Sequence, residues 1–197
     1  MREIISNLRT EILESVDGAR RFSLKKVWDE SKPSLAIIMM APSSSGEVAV
    51  DTSTALTMAN CYRLGYGSVT IVNLFPVIND FNLKSSSGID AENLEAIVKA
   101  VEAASCVVFA PGTGKAKNRL FMEVQKETLL ALRPYEDKLR CLCDKDGGSR
   151  YLHPLSPRVR EWHLVPLSPS ELIDIPVEEE KPKKGKGKAS AKKQQSQ

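Results

Sequence analysis

Four short segments of the chain hold the side chains best suited to bind or transform a ligand. They are residues 41–45 together with Asp51, then residues 73–80, 111–118 and 144–156. Each segment combines hydroxyl, amide, carboxylate, amine or imidazole groups with glycine or proline, a composition typical of loops. These segments are therefore the candidate functional loops.

The first segment reads APSSSG and contributes Pro42, Ser43 and Ser44, with Asp51 shortly after it. Small hydroxyl residues before a helix N-terminus suit an anion or a phosphate. A plain turn followed by an N-capping residue explains the same pattern. Asp51 is the carboxylate of this segment that is suited to position a water or a sugar.

The second segment begins with Asn73 and continues through Phe75 to Asp80. The Asn73 amide offers both a donor and an acceptor to the edge of a base. Phe75 offers a stacking face, and Asp80 is a second candidate carboxylate. The structural alternative is that Asn73 satisfies loop backbone groups and Phe75 lies in the core.

The third segment, PGTGKAKN, contains Gly112, Lys115 and Lys117. It is similar to a phosphate loop in composition but lacks the Gly-Lys-Ser/Thr sequence and spacing of a Walker motif. The glycine allows a tight turn or a close approach to a ligand. The two lysines, like Arg158 further on, are candidates for contact with a nucleic-acid backbone, or they are simply solvated.

The fourth segment ends in YLHPLSP, which contains His153, Leu155 and Ser156. An imidazole in this position could donate a hydrogen bond to a developing anion. The second histidine of the chain, His163, stands beside Trp162 and is interpreted as structural.

The elements that must position these loops are short apolar runs alternating with amphipathic segments. This alternation predicts an α/β fold, with three α/β/α layers and a central, mainly parallel four-stranded sheet. The carboxyl ends of such strands are where ligands bind, and each candidate loop follows one. Strands are predicted over 35–40, 68–74, 106–110 and 139–143, and helices over 52–64, 91–104 and 117–132. A further helix is predicted over 2–16 and an edge strand over 21–28.

The composition sets limits on the protein class. The chain has 197 residues, of which 42% are hydrophobic and 27% are charged, so it can bury a core. Its longest apolar run, residues 35–41, is too short to span a membrane, and the N-terminus lacks a signal-peptide pattern. The four cysteines do not show zinc-site spacing. We expect a cytoplasmic monomer with no cofactor, no bound metal and no membrane contact.

The formal charge of +3 is unevenly distributed. Residues 178–197 hold seven lysines and three glutamates, a net of +4, which leaves −1 for residues 1–177. We predict a single α/β domain over 1–177 and a disordered basic tail over 178–197, because the tail has no large apolar residue. The tail is either a solubilising segment or a non-specific tether to nucleic acid.

The order of several motifs resembles the bacterial and phage family of unknown function known as DUF1643. The resemblance rests on RRFSLKKVWD, LAIIMMAPSSSG, VDTSTALTMAN, LGYGSVTIVNLFPV and LHPLSP, in that order within about residues 20–165. The chain departs from the family pattern at Ala41, where an asparagine is usual, and at Pro111, where Trp-Gly becomes Pro-Gly.

The same order is similar, more remotely, to the uracil-DNA glycosylase superfamily, whose fold the resemblance implies. By this resemblance Asn73 would read the base, His153 would stabilise the departing base anion, and Leu155 would be a wedge. Since Ala41 replaces the water-positioning residue, Asp51 or Asp80 would supply the carboxylate.

The resemblance implies a DNA glycosylase-like enzyme that cleaves the N-glycosidic bond of a damaged or modified base in DNA. One alternative is a non-catalytic nucleic-acid-binding protein on the same fold, which Ala41 favours. Another is an enzyme acting on free nucleotides, which the near-neutral body and the Gly-Lys loop favour. Under the first two hypotheses DNA is the partner, held by local basic loops and the tail.

Overall fold

The computed structural model describes residues 1–173. The predicted basic tail at 178–197 lies outside the described residues, as does the end of the predicted domain at 174–177. No helix in the described part is long and apolar enough to cross a bilayer.

A seven-stranded mixed sheet organises residues 1–173, so the α/β class is confirmed. The expected four strands are too few, and the expectation of a mainly parallel sheet is wrong, because antiparallel pairs are as many as parallel ones. The strand order is β1-β2-β4-β3-β5-β6-β7. The neighbours β4-β3, β3-β5 and β5-β6 pair in parallel, whereas β1-β2, β2-β4 and β6-β7 pair antiparallel. The strands are β1 (Arg9–Glu14), β2 (Arg21–Val27), β3 (Ser34–Met39), β4 (Ser68–Asn73), β5 (Cys106–Phe109), β6 (Leu139–Cys143) and β7 (His163–Pro166).

Three longer helices form where the sequence predicts them. Each begins at a side-chain cap: Asp51 accepts from the Thr54 amide, Asp90 from the Asn93 amide, and Asn118 from the Phe121 amide. The helices are α1 (Thr52–Arg63), α2 (Ala91–Ala103) and α3 (Arg119–Ala131), followed by a single turn, α4 (Ser170–Ile173). Short 3-10 helices cover Arg133–Lys138 and Pro157–Val159.

Helices cover both faces of the sheet because the inner strands are apolar on both sides. In β3, Ile38 packs into the cluster that contains Ile97 of α2 and Phe121 of α3. Its neighbour Ile37 packs into the opposite cluster with Cys61 of α1. The inner strands thus lie between two hydrophobic cores, one on each face of the sheet. The candidate loops follow the ends of these strands.

The helix predicted over residues 2–16 is wrong, since β1 forms there instead. Strand β1 pairs antiparallel with β2, and Ile12 lies opposite Leu24. Thr10 and Ile12 are the two half-buried residues of β1, which is the period-two alternation of a strand. Pairing with β2 therefore outweighs the helical spacing of the apolar residues in the sequence. Thr10 and Ile12 are both β-branched, which favours a strand.

The strand predicted over residues 21–28 is confirmed by β2, but its predicted position at a sheet edge is wrong. β2 lies between β1 and β4, and its cationic residues Arg21 and Lys26 are 4% and 0% exposed. The Lys26 ammonium donates to the carbonyls of Gly46 and Glu47, at 3.2 and 2.8 Å. These polar residues therefore point inward to hold the loop after β3.

Candidate functional site

A cavity of about 700 Å³ opens at the carboxyl ends of the parallel strands. Its size falls within the range usual for small-molecule sites. It collects residues from all four candidate loops, which brings together positions as far apart in sequence as Pro42 and Ser156. The predicted site residues that line it are Pro42, Ser43, Asp51, Asn73, Gly112, Lys115, His153, Leu155 and Ser156.

Asn73 ends β4 and is 1% exposed, yet its Nδ2 has no hydrogen-bond partner among the described residues. A buried donor without a partner costs about 1–3 kcal/mol. Because the residue lines the cavity, an acceptor on a water or on a ligand there would remove this cost.

The backbone beneath Asn73 is held by Asn93 of α2, a residue 2% exposed. Its side-chain amide donates to the carbonyls of Asn73 and Leu74, at 2.8 and 3.1 Å. Asn93 follows the N-cap Asp90, so the start of α2 is fixed against the end of β4. Sequence reasoning missed Asn93, because its position on the helix gives no signal of this long-range contact.

Asp51 lines the cavity while it caps α1. One carboxylate oxygen accepts from the Thr54 amide at 2.7 Å, and the other accepts from the Ser43 hydroxyl. Burial alone would raise the pKa of Asp51, but these hydrogen bonds and the charge of Arg21 outweigh it, and the net pKa lies below its usual value. Asp51 is therefore ionised at neutral pH.

His153 presents a neutral imidazole to the cavity. Its Nδ1 accepts from the Leu155 amide at 3.2 Å, which assigns the ring proton to Nε2. Burial lowers the pKa of His153, against a weaker opposing effect of the Asp51 charge. The ring can thus donate a hydrogen bond from Nε2 at neutral pH without carrying a positive charge.

Gly112, in the loop after β5, lies against His153 in the loop after β6. Its φ is +82°, and a Cβ built there would lie 3.1 Å from the His153 Cβ. Both the backbone conformation and the close approach favour glycine over a residue with a side chain. The Pro-Gly pair of the third loop therefore shapes the cavity through its contact with His153.

Arg21 and Phe81 are cavity residues that sequence reasoning missed. The Arg21 guanidinium donates from Nη1 to the carbonyls of Ser43 and Ser45. Phe81 is 46% exposed and supplies the aromatic face that was expected from Phe75. Phe75 itself is 1% exposed and belongs to the core cluster with α2 and α3.

The remaining candidates lie away from the cavity lining. Asp80 accepts from the Lys84 and Ser85 amides, both at 2.8 Å, and so organises its own loop. Arg158 is exposed and donates to the Ser149 hydroxyl at 2.8 Å. Two more exposed candidates stand outside the lining: Ser44 and Lys117.

Within residues 1–173, no group of three or more His, Cys, Asp or Glu side chains is arranged to hold a metal ion. The four cysteines are buried free thiols.

A family model described as Protein of unknown function (DUF1643) matches residues 21–155. The chain belongs to the DUF1643 family. The span shared with DUF1643 begins at Arg21 and ends at Leu155, both of which line the cavity. No curated protein and no solved structure matches the chain.

Proposed function

We propose that this DUF1643 protein binds a nucleobase in the cavity and cleaves the N-glycosidic bond of a damaged or modified base in DNA. The observation that carries the proposal is the unpartnered Asn73 amide in the same cavity as the Asp51 carboxylate and the His153 Nε2–H. The motif order that resembles the uracil-DNA glycosylase superfamily supports the same reaction.

The three groups suit the charges that develop when the bond breaks. The bond between C1′ of the sugar and the base nitrogen breaks, and its electron pair leaves with the base. The Asp51 carboxylate faces the positive charge on the sugar, while His153 and Asn73 donate to the base. A water then adds to C1′, and its proton ends on the released base. The products are an abasic sugar and a free base.

Entry of the base requires that the nucleotide leave the duplex stack, at a cost of about a few kcal/mol. Leu155 is 45% exposed at the cavity and is suited to fill the space that the base leaves. Lys115, also at the cavity, is suited to contact the backbone.

The test is release of a free base from oligonucleotides that carry uracil or a hypermodified pyrimidine. Purified full-length protein is incubated with single-stranded and duplex substrates, and the base is measured by mass spectrometry. We expect His153→Ala to slow release by about 10²–10³-fold. His163→Ala is the matched control, since that histidine is exposed on β7 and absent from the cavity lining. Equal rates for the two variants would refute the role of His153.

A second candidate is a non-catalytic nucleic-acid-binding protein. Two observations favour it: the Ala41 side chain at the cavity has no polar group to hold a water, and both Asp51 oxygens already accept hydrogen bonds from the protein. Tight DNA binding with no base release from any substrate would support this candidate instead.

A further inference from the structure

The cavity contains a buried cation that the proposed cleavage does not use. Arg21 is 4% exposed, and its two hydrogen bonds both run from Nη1 to backbone carbonyls. Its Nε is buried and has no partner among residues 1–173. Burying a charge is unfavourable unless it is paired, and backbone carbonyls offset only part of that cost.

No carboxylate of the described residues forms an ion pair with this guanidinium. Asp51 and Glu14 act on Arg21 only through longer-range attraction, and Asp51 already accepts from Ser43 and Thr54. The edge of the guanidinium formed by Nε and Nη2 presents two parallel N–H groups. This geometry binds two oxygens of a carboxylate or phosphate at once.

The charges of the residues that line the cavity also favour an anionic ligand. Its lining carries the cations of Arg21 and Lys115 and the single carboxylate of Asp51, while His153 is neutral. The formal balance is one excess positive charge, which an anionic ligand would neutralise.

We propose that Arg21 forms an oxyanion subsite in the cavity and that the ligand carries a phosphate or a carboxylate. The oxyanion is either a nucleotide phosphate or an acidic substituent of a modified base. The subsite goes beyond the proposed cleavage, since it requires only that the cavity bind its ligand.

The alternative role of Arg21 is to hold the loop after β3, and Lys26 provides the control for it. Lys26 lies on the same strand, is fully buried and also donates to carbonyls of that loop, but it does not line the cavity. A loop effect would appear in both Arg21→Lys and Lys26→Met. A subsite effect would appear in Arg21→Lys alone.

The experiment compares binding of three probes to the full-length protein: deoxyuridine, its 5′-monophosphate, and 5-carboxy-2′-deoxyuridine. Nuclear magnetic resonance follows the Arg21 Nε–H directly in the unmodified protein. We expect at least one anionic probe to shift this resonance saturably and to bind at least about tenfold more tightly than deoxyuridine, which is about 1.4 kcal/mol. The preferred probe identifies the oxyanion as phosphate or as base carboxylate.

Arg21→Lys should abolish most of this preference, and Lys26→Met should retain it. The proposal is overturned if no anionic probe binds, if both bind no better than deoxyuridine, or if the two variants lose the preference equally. Should either variant fail to fold, the Arg21 Nε–H resonance of the unmodified protein tests the proposal: a saturable shift with an anionic probe supports it, and no shift overturns it. Base release from the oligonucleotide substrates is measured with the same protein preparations, so an intact anion preference without release would contradict only the cleavage proposal.

Discussion

Replacement of Gly112 by alanine tests how the third loop positions His153. At a φ of +82°, an L-residue with a side chain costs about 1–2 kcal/mol relative to glycine. The new Cβ would also lie 3.1 Å from the His153 Cβ. Since carbon atoms pack at about 3.5–4.0 Å, the two loops must separate by about half an ångström.

We expect Gly112→Ala to lower the free energy of unfolding by about 1–2 kcal/mol, measured by denaturant titration. Displacement of the imidazole should also slow base release by about tenfold, since a misplacement of about 1 Å costs about 10²-fold. Nitrogen chemical shifts of the His153 ring provide a second readout that does not depend on turnover.

Gly114→Ala is the matched control for stability. It lies in the same loop, its φ is outside the left-handed region, and nothing lies within 4 Å of the Cβ that would be added. If Gly112→Ala is as stable as Gly114→Ala, the conformational argument is refuted. If Gly112→Ala loses stability while the His153 ring shifts and base release are unchanged, the contact does not position the imidazole.

Three further predictions concern the groups around the cavity and the tail. Asn93→Asp removes two hydrogen bonds to backbone carbonyls, so it should lower the free energy of unfolding by about 1–3 kcal/mol. It should also raise KM, because the backbone of Asn73 loses its support, and an unchanged KM in a folded variant would contradict the positioning role. Because burial lowers the pKa of His153, the unfolded chain binds the imidazole proton more readily than the folded chain, and the free energy of unfolding should fall as the pH drops below about 6.5. His153→Gln should reduce that fall, as measured by denaturant titrations between about pH 6.5 and 5. Deletion of residues 178–197 removes seven lysines and should weaken DNA binding and reduce its salt dependence in titrations at several salt concentrations; no change would favour a free nucleotide as ligand.

The inner strands could be predicted from sequence because both of their faces are buried. Continuous apolar runs such as the one in β3 identify strands whichever way the side chains point. Strands β1 and β7 were not predicted, since they lie at the sheet edges and contain no fully buried residue. Their pairing partners lie elsewhere in the chain, so local periodicity does not reveal them.

The candidate site was predictable where it depends on strand ends. Asp51, Asn73 and His153 all follow apolar runs, and the strand order brings their loops together. Arg21 was missed because a charged residue within a strand suggested an exposed edge, whereas it is turned inward to the loop after β3. The choice between Phe75 and Phe81 depends on the path of one loop, which sequence spacing does not determine.

A crystal structure with bound DNA tests the central claim most directly. The oligonucleotide would carry a pyrimidine on a 2′-fluoroarabino sugar, which resists cleavage of the N-glycosidic bond. We predict that the base lies in the cavity, with its oxygens about 2.7–3.2 Å from the Asn73 side-chain amide and the His153 Nε2. A base that stays in the stack or binds elsewhere on the protein, with the Asn73 amide still unpartnered, would contradict the account.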